Sequence, residues 1–313
     1  MKNIAFIFPG QGSQQSGMGK DLYENSDAAK HVFNTADKVL GYKISDICFN
    51  GTDEELMQTI NSQPAILTVE IAALEALREK HNIKANCYAG HSLGEYAALY
   101  ASGVIDLETV FKLIQKRAYL MNEAAQQTTG TMAAVIGLNI EAVKQITNQL
   151  NNVFVANYNS PEQIVITGNK EEINNNLDKF KSAGAKRVIP LSVSGAFHSP
   201  LMKNAENKFI DFVKEYKFNN TNTPVYSNVD AKAETSGIEL RNKLPKQICS
   251  SVLWTQTINN IRNSGINDFI EIGPGRVLAG LNRKINSEIN TLNIYDYESL
   301  MTVISELKEK EPV

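Results

Sequence analysis

The chain has 313 residues but only three cysteines, four histidines and one tryptophan, and these shortages exclude several protein classes. The cysteines, Cys48, Cys87 and Cys249, make no CxxC pair and no disulfide framework, so a disulfide-rich secreted domain is excluded. We therefore expect a reducing, cytoplasmic compartment. No apolar run approaches the roughly 20 residues that span a bilayer, which argues against a membrane protein.

A dominant sign of charge is also missing, because 31 Lys and Arg residues oppose 34 Asp and Glu residues and leave a net charge of −3. Without a basic block, the chain is a poor candidate for nucleic-acid binding. Hydrophobic residues form 42% of the chain, which is enough for a real core and excludes general disorder. The length suits two ordinary domains or one large domain with an insertion. Coiled-coil heptads are absent, and we expect a monomer.

Strand and helix patterns that alternate along most of the chain predict an α/β fold with a mostly parallel sheet. The run IAFIF (4–8) is continuously apolar and ends at Pro9-Gly10, which is typical of a buried strand. Pro64 is expected in the first turn of a long helix, where its missing N–H is tolerated. The other predicted elements are helices over 27–40, 93–103, 107–126 and 299–311, and strands over 87–92, 223–229 and 268–273.

Between these groups of elements the pattern changes to strand, helix, strand, strand, helix, strand. The strands are predicted over 131–137, 153–158, 163–168 and 185–194, and the helices over 140–150 and 170–184. This βαββαβ order is that of a complete ferredoxin-like unit. We therefore predict an inserted subdomain over 129–197 and a discontinuous core formed by 1–128 and 198–313.

The clearest local motif is a GxSxG sequence, Gly90-His91-Ser92-Leu93-Gly94, between a predicted strand and a predicted helix. This is the setting of a nucleophile elbow, in which glycines relieve a strained turn and the serine hydroxyl projects outward. The N–H groups that begin the helix suit an oxyanion. A structural turn is the alternative. The sharp loop after the first strand offers the Gln11 main chain as a second oxyanion donor.

A serine nucleophile needs a base, and the four histidines limit the choice. His31 and His81 fall on polar helix faces and are expected at the surface. His91 adjoins Ser92 on a sharp turn, so it is a poor proton acceptor for it but can line a pocket. His198 follows the last strand of the predicted insertion among small residues and is favoured as general base. A core or capping histidine is its alternative, and a carbonyl group can orient the ring.

Arg117 interrupts the apolar face of the helix predicted over 107–126. An unpaired buried guanidinium is costly, which leaves two explanations. One is an internal ion pair or a side chain that reaches solvent. The other is a receptor for a carboxylate, which a planar guanidinium binds with two parallel hydrogen bonds. The spacing alone favours neither.

Seven motifs together resemble the malonyl-CoA:acyl carrier protein transacylase family and the related acyltransferase domains of polyketide synthases. They are FPGQGSQ (8–14), Gln63-Pro64-Ala65, GHSLGEYAAL (90–99), Arg117, VANYNSPEQIVITG (155–168), AFHSPLM (196–202) and EIGPGRVLAGL (271–281). They follow the family order and spacing nearly from end to end. The resemblance implies an α/β-hydrolase-like core with an inserted ferredoxin-like subdomain, and transfer of a malonyl group from malonyl-CoA to acyl carrier protein.

The resemblance also implies roles for individual residues. Ser92 and His198 would be nucleophile and base, and Arg117 would bind the malonyl carboxylate. The main-chain N–H groups of Gln11 and Leu93 would form the oxyanion hole, and the carbonyl of Gln247 would orient the histidine. The positions implied to line the pocket are Gln63, His91, Asn157 and Phe197, the last resembling the malonyl-type pattern.

The family partner, acyl carrier protein, is acidic, so an acidic chain needs a local basic patch to dock it. Candidate side chains are Lys179, Lys181, Lys186 and Arg187, with Lys112 and Lys116 on the arginine helix. No metal or redox cofactor is expected. Three alternatives stay open: a polyketide-pathway loading enzyme, a serine acyl hydrolase, and a binding module for carrier protein or CoA that lacks activity.

Overall fold

The computed structural model describes residues 3–309, which form two β-sheets and a set of helices around them. The strands are β1 (Ile4–Phe8), β2 (Cys87–Gly90), β3 (Gly130–Ile136), β4 (Val153–Ser160), β5 (Gln163–Asn169), β6 (Arg187–Pro190), β7 (Val225–Tyr226), β8 (Ala233–Glu234), β9 (Asp268–Ile272) and β10 (Asn290–Ile294). Among the described helices, none combines the length and the apolar composition of a membrane span.

The helices cover both faces of the larger sheet and one face of the smaller. They are α1 (Lys20–Asn25), α2 (Asp27–Leu40), α3 (Ile44–Asn50), α4 (Asp53–Met57), α5 (Thr59–Lys80), α6 (Gly94–Ala101), α7 (Leu107–Gln127), α8 (Ile140–Thr147), α9 (Lys170–Ser182), α10 (Lys203–Val213), α11 (Gly237–Lys243), α12 (Trp254–Asn263), α13 (Val277–Ile285) and α14 (Tyr297–Glu309). Short 3₁₀ turns lie at Pro200–Met202 and Pro245–Ile248. The predicted end of the last helix, at 310–311, lies outside the described residues.

The larger sheet has the strand order β10-β9-β1-β2-β7-β8 and is parallel except for the β7–β8 pair. Every residue of β1 is buried, as its uninterrupted apolar sequence predicts for a central strand. Its neighbours are β2, in register from Ala5 opposite Cys87, and β9, from Ile4 opposite Asp268. The prediction of an α/β fold with a mostly parallel sheet is confirmed.

Local signals fix several helix boundaries. The hydroxyl of Ser26 accepts a hydrogen bond from Ala29 N at the start of α2, and Gly41, with φ of 79°, ends that helix. The carboxylate of Asp106 caps α7 by accepting from Thr109 N at 2.8 Å. Both helices have the predicted start, and α5 packs against both of them.

The prediction for Pro64 is wrong, because α5 begins at Thr59 and Pro64 lies inside it. The helix tolerates the proline because only one N–H is lost, and its expected acceptor belongs to Ile60, a residue 38% exposed on the surface. The Pro64 carbonyl is used by Thr68, whose hydroxyl donates to it at 2.7 Å.

The smaller sheet is antiparallel, with the strand order β4-β5-β3-β6, and its strands all fall between residues 130 and 190. The order of elements from β3 to β6 is the predicted βαββαβ. The predicted strands over 185–194 and 223–229 are too long. The first covers only Arg187–Pro190 at the edge of the smaller sheet, and its last hydrogen bond to β3 is donated by Leu191 N to the Met132 carbonyl. The second is only β7. Reciprocal backbone hydrogen bonds with Val252 join β4 to the larger unit.

Candidate active site

Ser92 sits on the turn between β2 and α6, at the carboxyl end of the larger sheet, and its backbone φ is 53°. A left-handed conformation is unfavourable for a residue with a side chain, and the surrounding contacts must hold it. The flanking glycines explain how the turn closes. A Cβ on Gly90 would overlap the backbone of Gly94, and a Cβ on Gly94 would overlap the Phe8 carbonyl at the end of β1. The GxSxG motif is therefore a strained elbow, as predicted.

His198 meets this serine although 106 residues separate them, with 2.8 Å between Ser92 Oγ and His198 Nε2. The other ring nitrogen, Nδ1, lies 2.9 Å from the Gln247 carbonyl oxygen and 3.2 Å from that of Ser250. Two acceptors at Nδ1 require the proton there, which leaves Nε2 free to accept from the serine hydroxyl. Burial, together with the charge of Arg117, lowers the pKa of His198 to about 3, so the imidazole is neutral at pH 7.

Arg117 reaches the same serine from α7 and is only 1% exposed. Its Nη2 donates to Ser92 Oγ at 3.0 Å and to Gln247 Oε1 at 2.8 Å, and its Nη1 donates to Gln63 Oε1 at 2.7 Å. Within residues 3–309 these hydrogen-bond partners are neutral, so the guanidinium is neither in a direct ion pair nor extended into solvent. Burial lowers its pKa by disfavouring the charged form, so an anionic partner would stabilise the guanidinium.

A cavity of about 620 Å³ opens over these three side chains. Among the predicted pocket residues, His91, Asn157 and Phe197 line it, as do the predicted oxyanion donors Gln11 and Leu93. Within the described chain, the main-chain N–H groups of Gln11 and Leu93 donate to no protein acceptor. Both are therefore available to an oxygen atom held in the cavity.

Gln63 and His91 have hydrogen-bond partners that the sequence does not predict. Gln63 is fully buried and contacts Arg117 from beneath, without lining the cavity. His91 lines the cavity but hydrogen-bonds through Nε2 to Asn159 Oδ1 at 2.8 Å, so it does not approach the Ser92 hydroxyl as a base. Of the remaining histidines, His31 is exposed on α2 as predicted, whereas His81 is half-buried at the end of α5.

Comparison with known proteins identifies the family of the chain. Residues 5–309 match the acyl transferase domain family. The chain belongs to this family. It is 44% identical, over 99% of both chains, to a malonyl CoA-acyl carrier protein transacylase of Bacillus subtilis (strain 168).

Solved structures agree with the sequence comparison. An acyl carrier protein S-malonyltransferase from Vibrio cholerae has a TM-score of 0.92 at 38% identity, covering 96% of this chain and 100% of that one. A malonyl-transacylase solved in complex with a type II PKS acyl-carrier protein has a TM-score of 0.92 at 39% identity, covering 97% and 100%. This chain is accordingly an acyltransferase.

The site of this acyl transferase contains residues that the sequence reasoning missed. Asn228, after β7, accepts from Ser92 N at 2.7 Å and donates to the Gly90 carbonyl at 2.6 Å, so it clamps the elbow. Glu95, in the first turn of α6, accepts from Gln247 Nε2 at 2.6 Å and from Asn228 N at 3.2 Å. Burial raises the pKa of Glu95 to about 7. A glutamate on an otherwise apolar helix face was the one signal in the sequence for this role.

Gln247 has more contacts than its predicted role requires. Its carbonyl holds His198, its Oε1 holds Arg117, and its Nε2 donates to both Glu95 and the Ser92 carbonyl. The acyl transferase site therefore links its buried cation to its buried acid through one neutral amide. Ser250, whose carbonyl also faces His198, was not predicted at all.

Proposed function

We propose that this acyl transferase moves a malonyl group from malonyl-CoA to the phosphopantetheine thiol of acyl carrier protein, through a malonyl ester on Ser92. The observation that carries the proposal is the buried Arg117 guanidinium, 3.0 Å from the nucleophile at the base of the cavity. A hydrolase of simple acyl groups has no use for a buried cation beside its serine. Such a cation would bind the carboxylate of a malonyl group, which one methylene separates from the reacting carbonyl carbon.

Acylation begins with Ser92 Oγ, which bonds to the thioester carbonyl carbon while its proton passes to His198 Nε2. The tetrahedral intermediate places its oxyanion at the N–H groups of Gln11 and Leu93. Each such donor contributes on the order of 3 kcal/mol to the transition state. The C–S bond then breaks, and the proton on His198 moves to the departing CoA sulfur. The Gln247 and Ser250 carbonyls keep the ring oriented and stabilise the imidazolium.

Transfer repeats these steps in reverse with a second thiol. The phosphopantetheine thiol of the carrier protein gives its proton to His198 and bonds to the malonyl carbonyl carbon, and the ester C–O bond breaks with the proton returned to Ser92 Oγ. Thioester and oxyester are similar in energy, so the cycle is reversible. Serine, histidine, arginine and backbone N–H groups supply every proton and charge that the steps need, so we propose no metal or redox cofactor.

The finer architecture belongs to the same proposal. The strand order of the smaller sheet supports a ferredoxin-like subdomain over 129–197, inserted into an α/β-hydrolase-like core of 1–128 and 198–313. Ser92, His198 and Arg117 all come from one chain, which supports a monomer. Cys48, Cys87 and Cys249 are free thiols, which supports a reducing cytoplasm.

Mass spectrometry of the intact protein tests the proposal. Incubation with malonyl-CoA should add one malonyl group at Ser92, and addition of holo acyl carrier protein should remove it with formation of malonyl-carrier protein. Methylmalonyl-CoA and acetyl-CoA should label more slowly. Ser92→Ala should show no adduct. Release of free malonate without transfer would support a hydrolase, and absence of any adduct would support a binding module.

One observation keeps a second assignment open. The solved relative in complex with a carrier protein acts with a type II PKS carrier, so the same chemistry also serves polyketide assembly. Comparison of kcat/KM for fatty-acid and polyketide carrier proteins, with malonyl-CoA held saturating, separates the two pathways.

A further inference from the structure

We propose that Arg117 restrains the Ser92 nucleophile in the free enzyme, and that the carboxylate of the incoming acyl group releases it by taking over the guanidinium hydrogen bond. The inference rests on the proposed malonyl transfer and deepens it. Arg117 would select its substrate by controlling the reactivity of the serine as well as by binding a carboxylate.

The hydroxyl oxygen of Ser92 is engaged on two sides. It donates its proton to His198 Nε2 at 2.8 Å and accepts from Arg117 Nη2 at 3.0 Å. A hydroxyl oxygen has two lone pairs, and the guanidinium occupies one of them. A charge-assisted hydrogen bond in a buried site is stronger than a neutral one, so the oxygen is a weaker nucleophile while Arg117 holds it.

The hydrogens of Arg117 cannot take a bidentate carboxylate without a change of partner, although Nε has no hydrogen-bond partner within residues 3–309. Nη2 carries two hydrogens, and both are used, one by Ser92 Oγ and one by Gln247 Oε1. A carboxylate binds a guanidinium bidentately either across Nη1 and Nη2 or across Nε and Nη2. Both arrangements need a hydrogen of Nη2. One of the two present acceptors must therefore leave when a carboxylate binds bidentately.

Ser92 is the acceptor that can leave. The Gln247 side chain is fully buried, and its Nε2 is fixed by Glu95 Oε2 at 2.6 Å and by the Ser92 carbonyl at 2.8 Å. The Ser92 side chain, by contrast, lines the cavity where the substrate arrives. The carboxylate thus replaces Ser92 Oγ on the guanidinium and leaves Gln247 in place.

The same exchange strengthens the base. Proton transfer from Ser92 creates an imidazolium on His198 close to the Arg117 cation, and like charges in a buried site repel. The Arg117 charge is accordingly one of the two main causes that lower the pKa of His198. A carboxylate bound to Arg117 neutralises that repulsion. An acyl group without a carboxylate meets both a restrained nucleophile and a weak base.

Sulfonylation of Ser92 by methanesulfonyl fluoride, a small uncharged reagent, reports this restraint without any acyl-CoA. Ser92 Oγ bonds to sulfur, fluoride leaves, and the serine proton passes through His198 to solvent. Sodium formate supplies a free carboxylate that is small enough to leave Ser92 accessible to the reagent. Sodium chloride at the same ionic strength is the reference. The variants are Arg117→Met, which keeps an unbranched apolar stem, and Lys38→Met, which removes an exposed cation from α2. Intact mass gives the rate.

Formate should accelerate sulfonylation of the wild type, saturably and roughly tenfold, the effect of lifting one charge-assisted hydrogen bond. Arg117→Met should react faster than the wild type without formate and should not respond to it. Lys38→Met should behave as the wild type. The formate comparison uses the unchanged chain, so it stands even where a variant fails to fold.

Two results would overturn the inference. One is an Arg117→Met rate equal to or below that of the wild type. The other is that formate inhibits malonyl transfer competitively, which shows that it binds, but does not change the rate of sulfonylation. Where formate affects neither reaction, the Arg117→Met comparison decides. The malonyl adduct on Ser92 is scored separately, so failure of the proposed function is distinguished from failure of the restraint.

Discussion

Ser92 and His198 both adopt left-handed backbone conformations, with φ of 53° and 59°, and their side chains meet at 2.8 Å. Neither residue is glycine, so each conformation is unfavourable on its own and depends on the packing around it. For Ser92 the support comes from Asn228, and for His198 from the carbonyls of Gln247 and Ser250. The two residues that exchange the proton are thus among the four non-glycine residues within 3–309 with a positive φ, the others being Asn152 and Ala231.

The first prediction concerns the acid limb of the pH–rate profile. Because the pKa of His198 is lowered to about 3, the free enzyme should keep a neutral base down to pH 5. The pH profile of kcat/KM for malonyl-CoA gives the pKa values of ionising groups in the free enzyme. A fall in rate near pH 6.5 should therefore not be due to this histidine. Glu95, with a pKa of about 7, is the buried group that would produce one. A limb near 6.5 that persists in Glu95→Gln would contradict this assignment.

The second prediction concerns Arg117→Ala. The value of kcat/KM for malonyl-CoA should fall far more than that for acetyl-CoA, because only the malonyl group has a carboxylate to pair with the guanidinium. The expected loss for malonyl transfer is on the order of a hundredfold, as for one buried charge-assisted pair. Arg117→Lys, which keeps the charge but not the bidentate geometry, should fall between. Equal losses for the two substrates would reject the carboxylate-binding role.

The third prediction concerns the stability of Glu95→Gln. The folded pKa of about 7 lies above the ordinary glutamate value of 4.5, so the native state binds more protons between those values. Wild-type stability therefore falls as pH rises through this window, and the penalty is complete above pH 7. Relative to the wild type, Glu95→Gln should gain about 1–3 kcal/mol between pH 5 and pH 8. Urea unfolding at the two pH values measures the gain.

Glu95→Asp is the matched control for that measurement, because it keeps an ionisable carboxyl group and so should keep the pH dependence. A Glu95→Gln variant whose stability relative to the wild type does not change with pH would show that the buried acid is not the titrating group.

The fourth prediction concerns docking of the acidic carrier protein. Three of the six candidate cations already pair with acids: Lys112 with Glu108, Lys181 with Asp178 and Lys186 with Glu162. Lys179 and Arg187 make no such ion pair within residues 3–309. Their reversal to glutamate should raise KM for carrier protein several-fold at low salt and leave KM for malonyl-CoA unchanged, since steering charges act on encounter.

The control for this prediction is Lys38→Glu on α2, which changes the net charge by the same amount away from the smaller sheet. An unchanged KM for carrier protein in Lys179→Glu and Arg187→Glu would remove this surface from consideration. In Lys38→Glu the KM for carrier protein should stay unchanged, because net charge alone does not specify a docking site.

Much of the local structure follows from short stretches of sequence. The apolar run of β1 and the capping residues Ser26 and Asp106 define elements whose bounds depend on neighbours in the chain. Pro64 shows where such rules fail, since a single missing N–H is tolerated inside a long helix that buries most of its surface in the core. Propensity is a weak preference, and tertiary packing overrides it.

The GxSxG motif and the buried Arg117 could be read from the sequence because each breaks a local pattern. The network around them could not. Asn228 lies 136 residues from the Ser92 amide that it holds, and Gln247 lies 152 residues from Glu95. The immediate neighbours of Asn228 do not mark it. Glu95 stands out only as an acid on an apolar helix face, and Gln247 is singled out only by the family resemblance.

The small number of histidines therefore limits the possible bases, and the fold then selects one of them. The sequence by itself determined a cysteine-poor α/β chain with a serine elbow, four possible bases and one arginine on an apolar helix face. Only the tertiary structure decided which base meets the serine, and that a single amide joins the buried cation to a buried acid. The reason is physical: buried polar groups must find partners, and in this fold those partners come from the ends of strands and helices that are distant in sequence.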